Sequence, residues 1–562
     1  VTEPLSVALG EQLAGFIELE NRLRDGAPAG QIISHCFNQA HQLQDSFAQA
    51  PDSWLAMAQL NFPDYSDSQN LRFKRTLLAM LFSHCHRWHP QSSIGLMCAA
   101  MTLDLYSWPT TGDDFLKQIK RLEQQIWASS LIPVARLLPL RQKNGFYQRF
   151  ARLSHPQLLL MLVGLISTED RDKPPQKHWH QLLRALARQL PCNCYNLLEP
   201  LLLAFGLVPP GAMIQLQDKG IAILLSQTPN ARLIKRYHSR SKSFSEEVEV
   251  IAITEAIRPR AAYGIKSLSL TDRLWDKDWL SSHQDTEESD GWLPHTQPLS
   301  KPPAKLLAIQ DLLKQDEPDV DMISNHIATE GFLARQLKYT ASQRSRMKLQ
   351  LEEVKHALLF QGFERTSSIL VQQALLNRLN QQYFPLQQHA LQFCVLLGHV
   401  LEALGDRQSK LQTESLVTLG YFFCSGLFIN AAFKRRVRLP ARAEELFSLD
   451  QLFSLPASVS CTQQSLTLAR AWQQEKSSLD AIRCHHQLPS ESELKGMAKT
   501  LATMLGVGLM MSRQIYFGDQ PTQGRNSIYL QQAMQVLQLQ PDEMQDVVLQ
   551  AMENSQCYWP TG

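Results

Sequence analysis

Apolar residues recur at helical spacing along most of this chain, and the pattern is densest between Leu306 and Leu379. Leu306, Ile309, Leu312 and Leu313 share one helix face, and Glu317-Pro318-Asp319 ends that run. Val320, Ile323 and Ile327 make a second stripe, Gly331 interrupts it, and Leu333, Ala334 and Leu337 make a third. A polar loop is expected from Thr340 to Met347. Val354, Ala357, Leu358 and Leu359 then lead into Gly362, and Ile369, Leu370, Ala374 and Leu375 line the last helix, so that the stretch resolves into four short amphipathic helices.

The first part of the chain has the same character. Leu9, Leu13, Phe16 and Leu19 form one stripe and Ile32, Ile33, Cys36, Ala40 and Leu43 another, separated by Asp25-Gly26-Ala27-Pro28. Helices are expected at 53–60, 71–88, 92–105, 115–126 and 157–166, with two more in 176–206 around Pro191-Cys192-Asn193-Cys194. At Pro209-Pro210-Gly211 the period changes. Residues 212–216, 221–225, 231–237 and 247–253 read as strands, with Asp218-Lys219-Gly220 as a tight turn, giving an antiparallel sheet of three or four strands. From 261 to 303 the chain reads as a linker, with Trp275 and Trp279 anchoring its start and Ser281 to Pro303 polar and mobile.

Composition bounds this picture without sharpening it. A chain of 562 residues suggests two or three domains, and 44% hydrophobic with 19% charged residues describes a globular protein. Lys plus Arg exceed Asp plus Glu by only 55 to 53, so no global field draws nucleic acid or an anionic membrane. The ten cysteines are scattered and no apolar run is long enough to span a bilayer, so a reducing cytoplasm is the expected compartment, with no membrane insertion.

The segments ISNHIATEGFLARQLKYTAS and VKHALLFQGFERTSSILVQQAL, in that order, resemble the HDOD family, the all-helical HD-related output domains of bacterial signalling proteins. Upstream, GLVPPGAMIQLQDKGIAILLSQ is similar to the end of HD-GYP domains, and AMAQLNFPDYSDSQNLRFKRTLLAMLFSHC with IGLMCAAMTLDLY falls where that family has its histidine and His-Asp helices. The resemblance implies a mainly α fold. It divides into an N-terminal helical segment (1–50), a degenerate HD-GYP-like domain (51–208), a small β-subdomain (209–260), the linker (261–303) and an HDOD-like domain (304–562), so two HD-superfamily-like helical domains flank an antiparallel β-subdomain.

HD chemistry needs His and Asp ligands around one or two divalent ions that activate water. The resemblance places Leu103 where the first domain's His would stand and keeps only Asp104, while LISTEDRDKPPQKHW lacks the GYP signature. In TLGYFFCSGLFI it places Phe423 and Cys424 at the His-Asp positions, and LARAWQQEKSSLDAIRCHHQ resembles the family's helix ending in a histidine pair, here His485 and His486. These are vestigial positions, so no catalytic residue, metal ligand or cofactor is expected. A rebuilt metal site would draw on His84, His86, Asp104 and His155 or on the His485–His486 pair, which defines the alternative of a metal-dependent phosphohydrolase acting on a cyclic dinucleotide.

Neither Cys192-x-Cys194 nor Gly506-Val507-Gly508 matches a zinc or phosphate-binding motif, and the glycines fit close helix packing. Three basic clusters remain, at 232–242, 335–348 and 434–442. Arg232, Lys235, Arg236, Lys434, Arg435 and Arg436 are the candidate partner-binding residues, on the expectation that they face outward. The function expected is therefore regulatory binding of a protein partner in a signalling pathway, or of a nucleotide, with a nucleic-acid-associated regulator as a further alternative. Nothing in the residues fixes the oligomeric state.

Overall fold

The computed structural model describes residues 4–555 and 557, apart from 50, 61, 105–111, 122–124, 170–185, 192–193, 206–207, 228–230, 261–263, 266, 276–297, 316, 345–350, 409–412, 456–459 and 521–523. It is mainly helical, with one small antiparallel sheet in the middle of the chain. The chain forms two compact units: Val1–His295 with Tyr383–Pro385 and Arg435–Val437, and Thr296–Gln382 with Leu386–Lys434 and Arg438–Gly562.

The first unit opens with α1 (Leu5–Arg24), α2 (Ala29–Gln49), α3 (Pro51–Met57), α4 (Asp67–Cys85) and α5 (Pro90–Met101). Ser66 starts α4 through a capping box with Gln69, and Pro90 occupies the first turn of α5, where a missing N–H costs nothing. Both helices are buried nearly all round, as expected of apolar helices at the centre of a bundle. After them come α6 (Gly112–Arg121), α7 (Gln125–Leu137), α8 (His155–Glu169) and α9 (Tyr195–Phe205). α7 was not expected, and Pro133 lies inside it. Leu9, Phe16, Ile32, Phe47, Phe73 and Trp127 belong to one continuous core, so the helices of 1–50 and those of 51–208 pack together. The first of the two helices expected in 176–206 lies largely outside the described residues.

The sheet has six strands: β1 (Met213–Gln215), β2 (Ile221–Gln227), β3 (Ala231–His238), β4 (Ser243–Phe244), β5 (Glu249–Ala252) and β6 (Arg258–Pro259). Their order is β4-β3-β2-β1-β6, with β5 on the same edge of β3 as β4. Asp218 Oδ1 accepts from the Gly220 N–H at 2.7 Å and fixes the β1–β2 turn. The stretch expected as a linker begins as structure. α10 (Ser269–Leu274) ends at the buried Trp275, whose indole N–H donates to the Leu225 carbonyl at 3.1 Å. Trp279 and most of the stretch expected to be mobile fall outside the described residues.

In the second unit, five helices stand where four were expected: α11 (Ala304–Leu313), α12 (Val320–Ala328), α13 (Gly331–Arg344), α14 (Val354–Gln361) and α15 (Phe363–Asn380). Gly362 sits at φ +75° between α14 and α15, a conformation glycine adopts without penalty, so the two runs become separate helices. The expected loop at Thr340 is still helix, which continues to Arg344. Then follow α16 (Gln387–Gly405), α17 (Thr413–Ile429), α18 (Ala431–Lys434), α19 (Cys461–Ala471), α20 (Lys476–Cys484), α21 (Gly496–Phe517), α22 (Gly524–Leu537) and α23 (Pro541–Ser555). α17 is buried from Leu419 to Phe428 and forms the centre of this unit.

Candidate functional site

α17 carries Phe423 and Cys424 into a closed interior, where Phe423 meets a histidine from far along the chain and Cys424 lies beside Cys394 and Cys461. His485, just past α20, is fully buried. Its Nδ1–H donates to the Ile482 carbonyl at 2.7 Å, and its Nε2 accepts from the Leu449 N–H at 3.0 Å, which fixes one neutral tautomer. Burial pushes its pKa down to about 4, against the hydrogen bond to Ile482. The Phe423 ring stands edge-on to the imidazole, with centroids 4.6 Å apart. Ser465 Oγ donates to the Phe423 carbonyl at 2.6 Å and accepts from the Gly426 N–H at 2.9 Å, locking α17 to α19.

The thiols here are equally enclosed. Cys394, Cys424 and Cys461 are buried, and burial pushes the Cys424 thiol well up and the Cys461 thiol to about 12. Cys424 and Cys461 therefore stay protonated, whereas a metal-binding cysteine is a thiolate. His486 is exposed, with its ring 5.5 Å from that of His485. The structure thus brings Phe423, Cys424 and His485 to one interior and leaves His486 outside it.

In the first unit, Leu103 is buried and packs near Gly164. Asp104 Oδ2 accepts from Arg72 Nη2 at 2.9 Å and Nε at 3.1 Å, and the Arg72 side chain is 2% exposed with Glu20 3.8 Å away. The carboxylate is therefore committed to a buried guanidinium. His84 packs edge-on to Phe47, while His86 donates from Nε2 to the Leu197 carbonyl at 2.9 Å. The His86 and His155 rings are 5.4 Å apart, and burial followed by His86 pushes the His155 pKa down to about 4. Among the described residues, no group of three or more His, Cys, Asp or Glu side chains is placed to hold a metal ion.

The basic candidates are not outward-facing as expected. Arg232, Lys235, Lys434 and Arg436 are buried and Arg435 is half-buried. Arg232 Nη1 donates to the Glu255 carbonyl at 2.9 Å and Lys235 Nζ to the Arg273 carbonyl at 2.6 Å, so these cations satisfy backbone acceptors at the margin of the sheet. Arg236 is bridged to Glu249 at 2.6 Å and Asp218 at 2.5 Å, and burial pushes the Lys434 pKa down to about 8.

One feature escaped the sequence reading. Ala441 to Glu444, Leu446, Arg513, Asp519 and Gln520 surround a cleft of about 390 Å³. Arg513 is fully buried and donates to Asp519 Oδ2 and to the carbonyls of Ala443, Glu445 and Gln451, pinning the 443–451 segment to α21. Arg442 donates to Asp519 Oδ1 at 3.0 Å and lies 5.0 Å over the Phe517 ring. The available signal was a lone arginine in the otherwise apolar run of α21.

Comparison with known proteins places this site. The family model described as "HDOD domain" matches residues 299–488. Among solved structures, an HDOD domain protein with unknown function from Geobacter sulfurreducens is 15% identical at a TM-score of 0.34, covering 50% of this chain and 93% of that one. The MmoQ response regulator from Methylococcus capsulatus str. Bath is 13% identical at a TM-score of 0.23, covering 44% and 98%. A fragment of that protein is 16% identical at a TM-score of 0.24, covering 44% and 95%. No curated protein matches the sequence. The family match takes in Phe423, Cys424 and His485 and ends just after them, and residues 299–488 are an HDOD domain.

Proposed function

We propose that this protein is a non-catalytic regulator of bacterial signal transduction, acting in the cytoplasm by binding a protein partner through its HDOD domain, with a degenerate HD-GYP-like first unit. The observation that carries this reading is the closed interior around His485. Both ring nitrogens are consumed by backbone groups and Phe423 fills the space beside them. A catalytic HD site needs the opposite, an imidazole lone pair and a carboxylate directed into a wet cleft. The Asp104–Arg72 pair supports the same reading for the first unit. Free thiols at all described cysteines suit a reducing compartment, and no described helix is long and apolar enough to cross a membrane.

The test is metal analysis of the purified full chain after exposure to iron, manganese and zinc, with an assay for cyclic dinucleotide hydrolysis. The expected result is no stoichiometric metal and no turnover. Stoichiometric metal with turnover that disappears in His485→Ala or Asp104→Ala would establish a phosphohydrolase instead.

A further inference from the structure

The sheet register gathers cations that are scattered in sequence. Gln215 of β1 pairs with Ile221 of β2 and with Arg258 of β6, and Ile221 pairs with Tyr237 of β3. Tyr237 in turn pairs with Phe244 and His238 with Ser243, so the β3–β4 turn, the β1–β2 turn and Arg258 all lie at one end of the sheet. That end presents Arg240 and Lys242 from the first turn, Lys219 from the second, and Arg258, all exposed. Arg260 follows on β6, also exposed, with Nη2 donating to Gln215 Oε1 at 3.4 Å. With neighbouring strands about 4.8 Å apart, the row from β4 to β6 spans roughly 19 Å.

The acids nearby do not cancel this row. Asp218 and Glu249 share the single guanidinium of Arg236, which leaves one net negative charge there, and Glu246 and Glu247 stand on the flank beyond β4, so the five cations of the row stay in excess. Lys219 and Lys242 stand at φ +65° and +53°, where glycine or asparagine is the usual residue, so the backbone does not explain a lysine at either turn. Ser239 and Ser241 are exposed between the cations, the Ser241 hydroxyl hydrogen-bonded to that of Ser243 at 2.8 Å, and among the described residues no large exposed apolar side chain shares this end to anchor a protein partner. A row of cations with interleaved hydroxyls is the chemistry that positions a phosphodiester backbone.

We infer that this rim, formed by Lys219, Arg240, Lys242, Arg258 and Arg260, binds the phosphate backbone of a nucleic acid. The surface is distinct from the HDOD domain and from the buried cluster of Arg232 and Lys235. Binding is electrostatic and insensitive to base sequence.

The test is fluorescence anisotropy on the full chain with labelled single-stranded RNA and duplex DNA of about 20 nucleotides, at about 50 mM salt. The triple variant Lys219→Asn, Arg240→Ser, Lys242→Asn keeps residues suited to the turn conformations, and circular dichroism checks its fold. Its affinity should fall about tenfold or more, and the slope of log K against log salt should flatten by about two. A control with the same loss of charge, Lys314→Ser, Lys476→Ser, Lys495→Ser, should change affinity less than about twofold. Equal loss in both variants, or no binding by the unmodified chain, would overturn the inference. Displacement of the oligonucleotide by polyglutamate at equal charge concentration would reassign the rim to an acidic protein.

Discussion

His485 shows how burial can set the chemistry of a histidine. In the folded protein its pKa is about 4, against an ordinary value near 6.5, because the protonated ring has neither water nor a free acceptor. Between these values the unfolded chain binds a proton that the folded chain refuses, so the stabilisation is complete above about pH 6.5 and is lost as pH falls toward 4. The full window corresponds to about 3 kcal/mol. The unfolding midpoint, measured from pH 7 to 4.5, should fall less steeply for His485→Gln than for the unmodified chain; parallel profiles would show that His485 is not the titrating group. Asp104 carries a second residue-level expectation. Removing its carboxylate leaves Arg72 buried and only loosely compensated by Glu20, so Asp104→Ala should cost about 2–3 kcal/mol in denaturant unfolding. A neutral effect would mean that the pair is already satisfied by water. Sequence reasoning placed Leu103, Phe423 and Cys424 as lost ligands, and all three are buried. It had no means of seeing that Arg72 holds Asp104, or that Leu449 occupies the Nε2 of His485, because those partners are set by tertiary contacts between residues far apart in the chain.

Helices were legible wherever a polar break or glycine separated apolar stripes, as at Gly331 and at Asp25-Gly26. α7 was not legible, because a local breaker rule assigns Pro133 to a boundary whereas packing of Trp127, Leu131 and Val134 into the core holds the helix around it. β4 and β6 have only two residues each, too few to show any alternation, yet they complete the rim. The basic cluster at 232–242 was visible as composition, but burial divides it: residues 232–235 of the strand are covered on both faces, so Arg232 and Lys235 are enclosed on opposite sides of the sheet, and the exposed cations come from the turn. At this scale the contact of α17 with α19 makes the sharpest prediction. A Cβ at Gly426 would collide with the Cys461 carbonyl, a backbone atom that cannot rotate away, and would press on the Ser465 hydroxyl that bridges the two helices. Gly426→Ala should therefore destabilise by about 1–3 kcal/mol, the range for overpacking. Gly331→Ala, at a position with open space, should be nearly neutral by comparison. Equal thermal midpoints for the two variants would show that α17 and α19 can separate without cost.

The division of the whole molecule into two compact units gives the HDOD domain match a physical setting, because residues 299–488 fall almost entirely within the second unit and α21 to α23 complete that unit beyond the match. Where the second unit begins can be argued from one hydrogen bond. Trp472 is buried at the end of α19, and its indole N–H donates to the Leu299 carbonyl at 2.9 Å, so the residues just before α11 belong to this unit's own packing. A fragment starting at 298 keeps that acceptor, and the apolar faces of α11 to α23 supply it with a core of its own. A fragment starting at 304 removes the acceptor and leaves a buried indole N–H without a partner, at a cost of about 1–3 kcal/mol. Both fragments should be helical by circular dichroism, with 298–562 having the higher denaturation midpoint. Trp472→Phe in the longer fragment should abolish most of that difference, because it removes the donor along with the need for an acceptor. If 298–562 is unfolded, the second unit depends on the first for its core; if the two fragments melt together, the residues before α11 contribute nothing to it.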